Sequence, residues 1–206
     1  MKTNKIKFLN FQEALRLLKL IKTHQKPSEK QFIWAVENAN INFTNYLLHN
    51  YSYYKKLISK VNVINLALFI ENPNLRLQML NLLLSNGADP NSLSDGHPLI
   101  LATKLGQYES VETLINYQAN IFAKDELGLN IIDYSSKNLR SDILIQVFGP
   151  IKKKLSSMSE SESESIQALF QNACQHIPED DLEDYGVREN ILRKKRIKVF
   201  LNCSEN

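Results

Sequence analysis

Cysteine, histidine and glycine are all scarce in this chain of 206 residues, and each scarcity removes a class of chemistry. The two cysteines, Cys174 and Cys203, sit in no CxxC or other metal-ligand spacing. A zinc ribbon and a disulfide-stapled scaffold are therefore excluded, and free thiols in a reducing, cytoplasmic setting are expected. His24, His49, His97 and His176 lack a ligand-type neighbour at helical spacing, so no metal is expected. The six glycines form neither a dinucleotide fingerprint nor a P-loop. Cys174 and His176 are two apart on a predicted helix and point to different sides, which disfavours a Cys-His nucleophile and makes a buried structural cysteine the expectation. The acidic run Glu179 to Asp184 lacks the alternating spacing and glycine of a calcium loop and reads as a solvated linker. Long apolar runs are missing too. Phe8 to Ile21 is broken by Gln12, Glu13, Arg16 and Lys19, so it reads as an amphipathic helix rather than a signal peptide or membrane span. Charge of one sign is not in excess: the net charge of +3 is mild, and nucleic acid is not the expected partner. No cofactor, no small-molecule substrate and no enzymatic activity are expected.

What the chain does have is apolar material, 43% hydrophobic against 23% charged residues, which suffices for a real core. It is arranged in a repeat. An apolar stretch centred on a small residue leads through a short polar turn to a second apolar helix. Phe32 to Asn38 leads to Phe43 to Leu48, Ile64 to Leu68 to Met79 to Leu84, Pro98 to Ala102 to Val111 to Ile115, and Ile131 to Ser136 to Ile143 to Phe148. The small residues Ala35, Ala67, Ala102 and Ser135 are separated by 32, 35 and 33 positions. A small residue in the first helix lets the neighbouring unit approach closely. A lone helix pair cannot bury both its faces, so such units must stack.

Two loops make a family resemblance specific. Leu82-Leu83-Leu84-Ser85-Asn86-Gly87-Ala88-Asp89-Pro90-Asn91 is similar to the end-of-repeat sequence of the ankyrin-repeat family, with Gly87 placed for a left-handed helix C-terminus. Gln118-Ala119-Asn120-Ile121-Phe122-Ala123-Lys124-Asp125-Glu126-Leu127-Gly128 resembles the same loop and the following turn. The likeness covers residues 28–149 and has departures. No repeat has a full Thr-Pro-Leu-His turn. The third has His97-Pro98-Leu99-Ile100 after a loop about two residues short, and the fourth has Asn130-Ile131-Ile132-Asp133. An insertion is placed around Asn72-Pro73-Asn74, and Tyr51-Ser52-Tyr53 stands where Gly-Ala-Asp is expected.

The expected fold is all-α: an ankyrin-repeat solenoid of about four degenerate repeats, with an N-terminal capping helix and a C-terminal helical extension. The expected boundaries are 1–27 for the cap, 28–60, 61–93, 94–126 and 127–149 for the repeats, and 150–206 for the cap or extension. In the extension, a short helix from 150 to about 157 and the capping-box spacing of Ser161 and Glu164 precede a stripe of Ile166, Leu169, Phe170, Ala173, Cys174 and Ile177. A last helix over about 187–201 carries Arg193-Lys194-Lys195-Arg196-Ile197-Lys198, with Ile191, Leu192, Val199 and Phe200 expected inward. The run Ser159 to Ser165 reads as helix capping, with phosphorylation as its alternative.

The resemblance implies a non-catalytic module that binds a partner protein through a concave face. Residues after the small-residue pair of each inner helix are variable and exposed in the family. Here they are Glu37 and Asn38, Phe69 and Ile70, Lys104 and Leu105, and Lys137 and Asn138. The turn tips add Gly96, Glu126, Leu127 and Leu129, and Tyr51, Tyr53 and Tyr54 add aromatic area near the first turn. Phe69, Ile70 and Leu105 are expected at the centre, unless Phe69 is buried against the insertion. Degenerate ankyrin arrays in a Lys-, Asn- and Ile-rich chain resemble effectors of intracellular bacteria that act on host proteins, with poxviral host-range proteins as a rival source. A monomer acting in the cytoplasm or a host cytosol is the corresponding expectation. The alternative is nucleic-acid or nuclear association through the basic run.

Overall fold

The computed structural model describes residues 28–58, 63–92, 96–140, 142–145, 147, 168–177, 192, 195–198 and 201. The expected helices at 11–21 and 150–157, the Ser-Glu run, the acidic run, and Arg193 and Lys194 lie outside them. The described residues are helical and contain no strand. The chain divides into two compact units, Met1–Asp89 and Pro90–Asn206.

The first unit contains α1 (Glu29–Glu37), α2 (Ile41–Asn50), α3 (Ser52–Ile58), α4 (Val63–Leu68) and α5 (Pro73–Ser85). Short polar residues start these helices. Ser28 caps α1 in a capping box with Gln31, Asn40 Oδ1 accepts from the Phe43 amide at 3.1 Å, and Asn72 Oδ1 from the Leu75 amide at 3.1 Å. Helix α1 packs against α2 and α4, and α2 against α3 and α5. First helices thus lie on first helices and second on second, with Ala35 and Ala67 fully buried where α1 meets α4.

The second unit contains α6 (Pro98–Lys104), α7 (Tyr108–Asn116) and α8 (Ile131–Lys137), with further helical residues at 142–145, 147, 168–174 and 195–198. Helix α6 packs against both α7 and α8, again with fully buried small residues, Ala102 and Ser135. Residues Ile131 to Ser136 are buried on every side of α8. The segment 168–177 reaches α8: Asn172 Nδ2 donates to Asp133 Oδ1 at 3.1 Å, and His176 Nε2 lies 3.9 Å from the same oxygen. The other carboxylate oxygen accepts from the Asn130 amide at 2.9 Å, which supplies the partners a buried carboxylate needs.

A common turn ends the first helices. The carbonyls of Ala35, Ala102 and Ser135 accept from the amides of Asn40, Gln107 and Arg140 at 2.8, 3.0 and 2.8 Å. The residue before each of these donors, Ala39, Gly106 or Leu139, is left-handed. The second helices end alike. Ala88 N donates to Leu83 O and Ala119 N to Leu114 O after left-handed Gly87 and Gln118, a Schellman arrangement. Gly87 therefore takes the conformation expected of it.

Several expectations need correction. The insertion expected around Asn72-Pro73-Asn74 takes helical form, for Asn72 caps α5 and Pro73 is its first residue. Ala67 to Gly87 spans 20 positions where Ala102 to Gln118 spans 16, so the extra four residues form one additional helical turn, which keeps the buried face in register. Ser52–Ile58, which begins within the stretch where Gly-Ala-Asp is expected, is helix α3, and its Tyr54 is fully buried rather than adding exposed aromatic area, stacked on Phe32 with centroids 5.0 Å apart. Leu192, expected inward, is exposed, while Ile197 and Leu201 are buried. Cys174 is half-buried and disulfide-bonded rather than a buried free thiol.

Candidate functional site

In the first unit Glu37 closes α1 and is exposed, and Asn38 caps the same helix half-buried, its Nδ2 donating to Trp34 O at 2.8 Å. Tyr51 is half-buried, Tyr53 exposed, and Phe69 is 64% exposed. Phe69 is thus not buried against α5. Ile70 is, at 5% exposure, against the expectation that it sits at the centre of an exposed face. At the matching place in the other pairs a left-handed residue follows and turns the chain outward. After α4 no such residue occurs. Ile70 N bonds back to Ala67 O at 3.1 Å, and Arg76 Nη1 donates to Ile70 O at 2.8 Å in the interior.

In the second unit Gly96, Lys104, Leu105, Glu126, Leu127, Lys137 and Asn138 are exposed and Leu129 is half-buried. Lys104 ends α6 and Lys137 ends α8, so both cations stand where a helix dipole favours them. Lys104 Nζ pairs with Asp125 Oδ2 at 3.0 Å and lies 4.3 Å above the centroid of the Tyr134 ring. Tyr134 Oη donates to the same Asp125 oxygen at 2.6 Å. The other oxygen of Asp125 accepts from the amides of Leu127 at 3.0 Å and Leu129 at 3.1 Å. Asp125 N donates to Leu129 O at 2.9 Å, and left-handed Gly128 donates to Asp125 O at 2.9 Å. One carboxylate thus holds the tip 125–129 to itself and to α6 and α8, an Asx-type turn tied down at both ends. At its apex Leu127 is 76% exposed, and Leu105, next to Lys104, is 42% exposed.

Burial draws the Asp125 carboxyl upward, but the bonds from Tyr134, Lys104 and the amides of Leu129 and Leu127 outweigh it and bring its pKa down to about 2. For Tyr134, burial and then the Asp125 bond push the phenol up. A depressed folded-state pKa means the unfolded chain binds the proton more tightly. The stabilisation from Asp125 is therefore complete above the ordinary carboxylate value of 3.8 and fades as pH falls through about 2. With solvent screening it amounts to about 1 kcal/mol. Asp125→Asn is expected to unfold at lower urea than wild type at pH 6, and the gap to close as pH falls from 4 to 2. A gap of equal size across that window would disprove the assignment.

Asp125 and Tyr134 organise the tip, yet neither was among the residues expected to bind a partner. The local signal was present, since Asp125 and Gly128 sit three apart in a turn pattern. Neighbouring loops of this unit are joined similarly: Asn91 Oδ1 accepts from the Asn120 amide at 2.7 Å, and Asn91 Nδ2 donates to Gln118 O at 3.3 Å. Among the described residues no group of three His, Cys, Asp or Glu could hold a metal ion, and no helix is long and apolar enough to cross a membrane. No curated protein matches the chain. The α6–turn–α7 pair lies within residues 97–126, which match the family model for the ankyrin repeat.

Proposed function

We propose that the chain is a non-catalytic protein-interaction module that binds a partner protein through the second unit's tip 124–129 together with the exposed ends of α6 and α8. Ankyrin repeats mediate protein–protein interaction, and this coarse role follows from the matched repeat. The finer reading is supported by one observation above the others: Leu127 and Leu105 are exposed beside a tip whose backbone is already fixed by Asp125. Exposed leucines on a rigid support bind at little ordering cost. Lys104, Glu126, Lys137 and Asn138 supply the polar rim.

The wider organisation belongs to the same proposal: an N-terminal cap over 1–27, four degenerate repeats over 28–149 and a C-terminal cap or extension over 150–206. The contact of Asn172 with Asp133 supports the capping role. Delivery into a host cell is the more specific form of the reading, supported by the Lys-, Asn- and Ile-rich composition. A translocation reporter fused to the chain tests it.

The binding reading is tested with Leu105→Ser/Leu127→Ser, both on the surface, in quantitative affinity capture against wild type. Partner recovery is expected to fall about tenfold or more with the circular dichroism unchanged. Equal recovery by the two proteins would refute the tip as the binding face.

A further inference from the structure

Of the chain's asparagines, Asn86 alone precedes a glycine, and the pair closes helix α5. Such a pair carries its own chemistry. The Gly87 nitrogen can attack the side-chain carbonyl carbon of Asn86, and glycine has no side chain to obstruct the approach. The surroundings add no obstruction, for Gly87 is exposed and nothing lies within 4 Å of where a Cβ would sit. The end of α5 holds the reaction off in three ways. Asn86 has ψ of 8°, which nearly eclipses its own nitrogen with that of Gly87. Its Cβ is thereby turned away, whereas a five-membered ring needs Cβ and the Gly87 nitrogen on the same side of the Cα–C bond. The Gly87 amide is also engaged, donating to Leu84 O at 3.0 Å. The side chain is held as well, with Asn86 Nδ2 donating to Leu82 O at 2.8 Å. All three restraints belong to one turn, which Ala88 N completes by donating to Leu83 O at 3.0 Å, so they are lost together when it opens.

We propose that Asn86-Gly87 is a self-modification site gated by the last turn of α5. While the turn is closed, the asparagine persists. When it opens, the Gly87 nitrogen bonds to Asn86 Cγ, the Cγ–Nδ2 bond breaks, and Nδ2 leaves as ammonia with the Gly87 amide proton. Water then opens the resulting succinimide at either carbonyl. The products are aspartate and isoaspartate, whose main chain runs through the side-chain carbons. Neither product rebuilds the turn. A carboxylate cannot donate to Leu82 O, and it stands at the end of α5 where the helix dipole is already negative. Isoaspartate also lengthens the main chain just before the Gly87 and Ala88 amides, carrying them off Leu84 O and Leu83 O. The change therefore runs one way and records the opening of α5 in covalent form.

The test incubates the full chain at mildly alkaline pH, folded and in urea, beside a free peptide of residues 82–91. Peptide mapping by mass spectrometry follows conversion at each asparagine, and chromatography separates the two products. Asn86 is expected to convert about tenfold or more slowly in the folded chain than in the free peptide. Its rate should climb with urea and reach that of the peptide once the chain is unfolded. Asn86→Asp, which stands in for the aspartate product, should lower the Tm by on the order of a few °C. Equal rates in the folded chain and the peptide would show that the turn is no gate. Earlier conversion at another asparagine of the unfolded chain would overturn the site itself. An Asn86→Asp variant that melts with wild type would show that the product rebuilds the turn, and the one-way character would fall.

Discussion

Ala102→Leu is expected to destabilise the chain by about 3 kcal/mol and to lower its Tm by on the order of 10 °C, with Ala102→Ser close to wild type. Ala102 has no exposed surface, and its helix, α6, packs against both α7 and α8. Protein interiors are packed as densely as organic crystals, so three added carbons must displace backbone or force side chains off their rotamers. The neighbouring turn moves too, because Ala102 O accepts the Gln107 amide that closes it. Serine fits, as Ser135 in α8 illustrates: it is equally buried and returns its hydroxyl to Ile131 O at 2.6 Å. Urea titration followed by circular dichroism measures both variants. A leucine variant within about 0.5 kcal/mol of wild type would mean that the small residues do not mark close helix crossings.

That crossing is also why so much of the fold was legible. Ala35, Ala67, Ala102 and Ser135 recur because each position has no room for more, and all four have zero exposure. The apolar stripes read correctly for the same reason: Leu47, Leu48, Leu80, Leu83, Leu114 and Ile143 are all fully buried. Ile70 was not legible. The exposure of its position depends on a left-handed residue following it. Two of the three residues that make this turn elsewhere, Ala39 and Leu139, are not glycine, so no residue type announces that the turn after α4 lacks one. Helix α3 was hidden because its anchor, Tyr54 on Phe32, is a contact across 22 positions. The candidate site divides along the same line. The Asp125 turn is local and readable, while its links to Tyr134, nine positions on, and Lys104, 21 positions back, are products of the packed α6–α8 pair. Phe69, Leu105 and Leu127 were legible as exposed apolar residues, since nothing in the packed pairs competes for them.

Gly106→Ala is the second large effect, again about 3 kcal/mol, and it arises from two additive causes. Gly106 has φ of +67°, where a side chain costs about 1–2 kcal/mol. A Cβ there would also collide with the Arg140 guanidinium, whose Nη1 donates to Gly106 O. Arg140 is meanwhile held by Asp142, with Nε to Oδ1 at 2.9 Å and Nη2 to Oδ2 at 2.6 Å, so swinging aside breaks this pair. Displacing it leaves a part-buried carbonyl without its donor, which costs a further 1–3 kcal/mol or so. Gly87 isolates the first cause, for its φ is +94° but nothing lies within 4 Å of where a Cβ would sit, and Gly87→Ala should lose only about 1–2 kcal/mol. A double-mutant cycle isolates the second. In an Arg140→Ala background the collision is gone, and Gly106→Ala should then cost about as much as Gly87→Ala. An equal cost in both backgrounds would show that the turn after α6 depends on backbone conformation alone, and that the arginine clasp from the end of α8 contributes nothing to holding the two helix ends together.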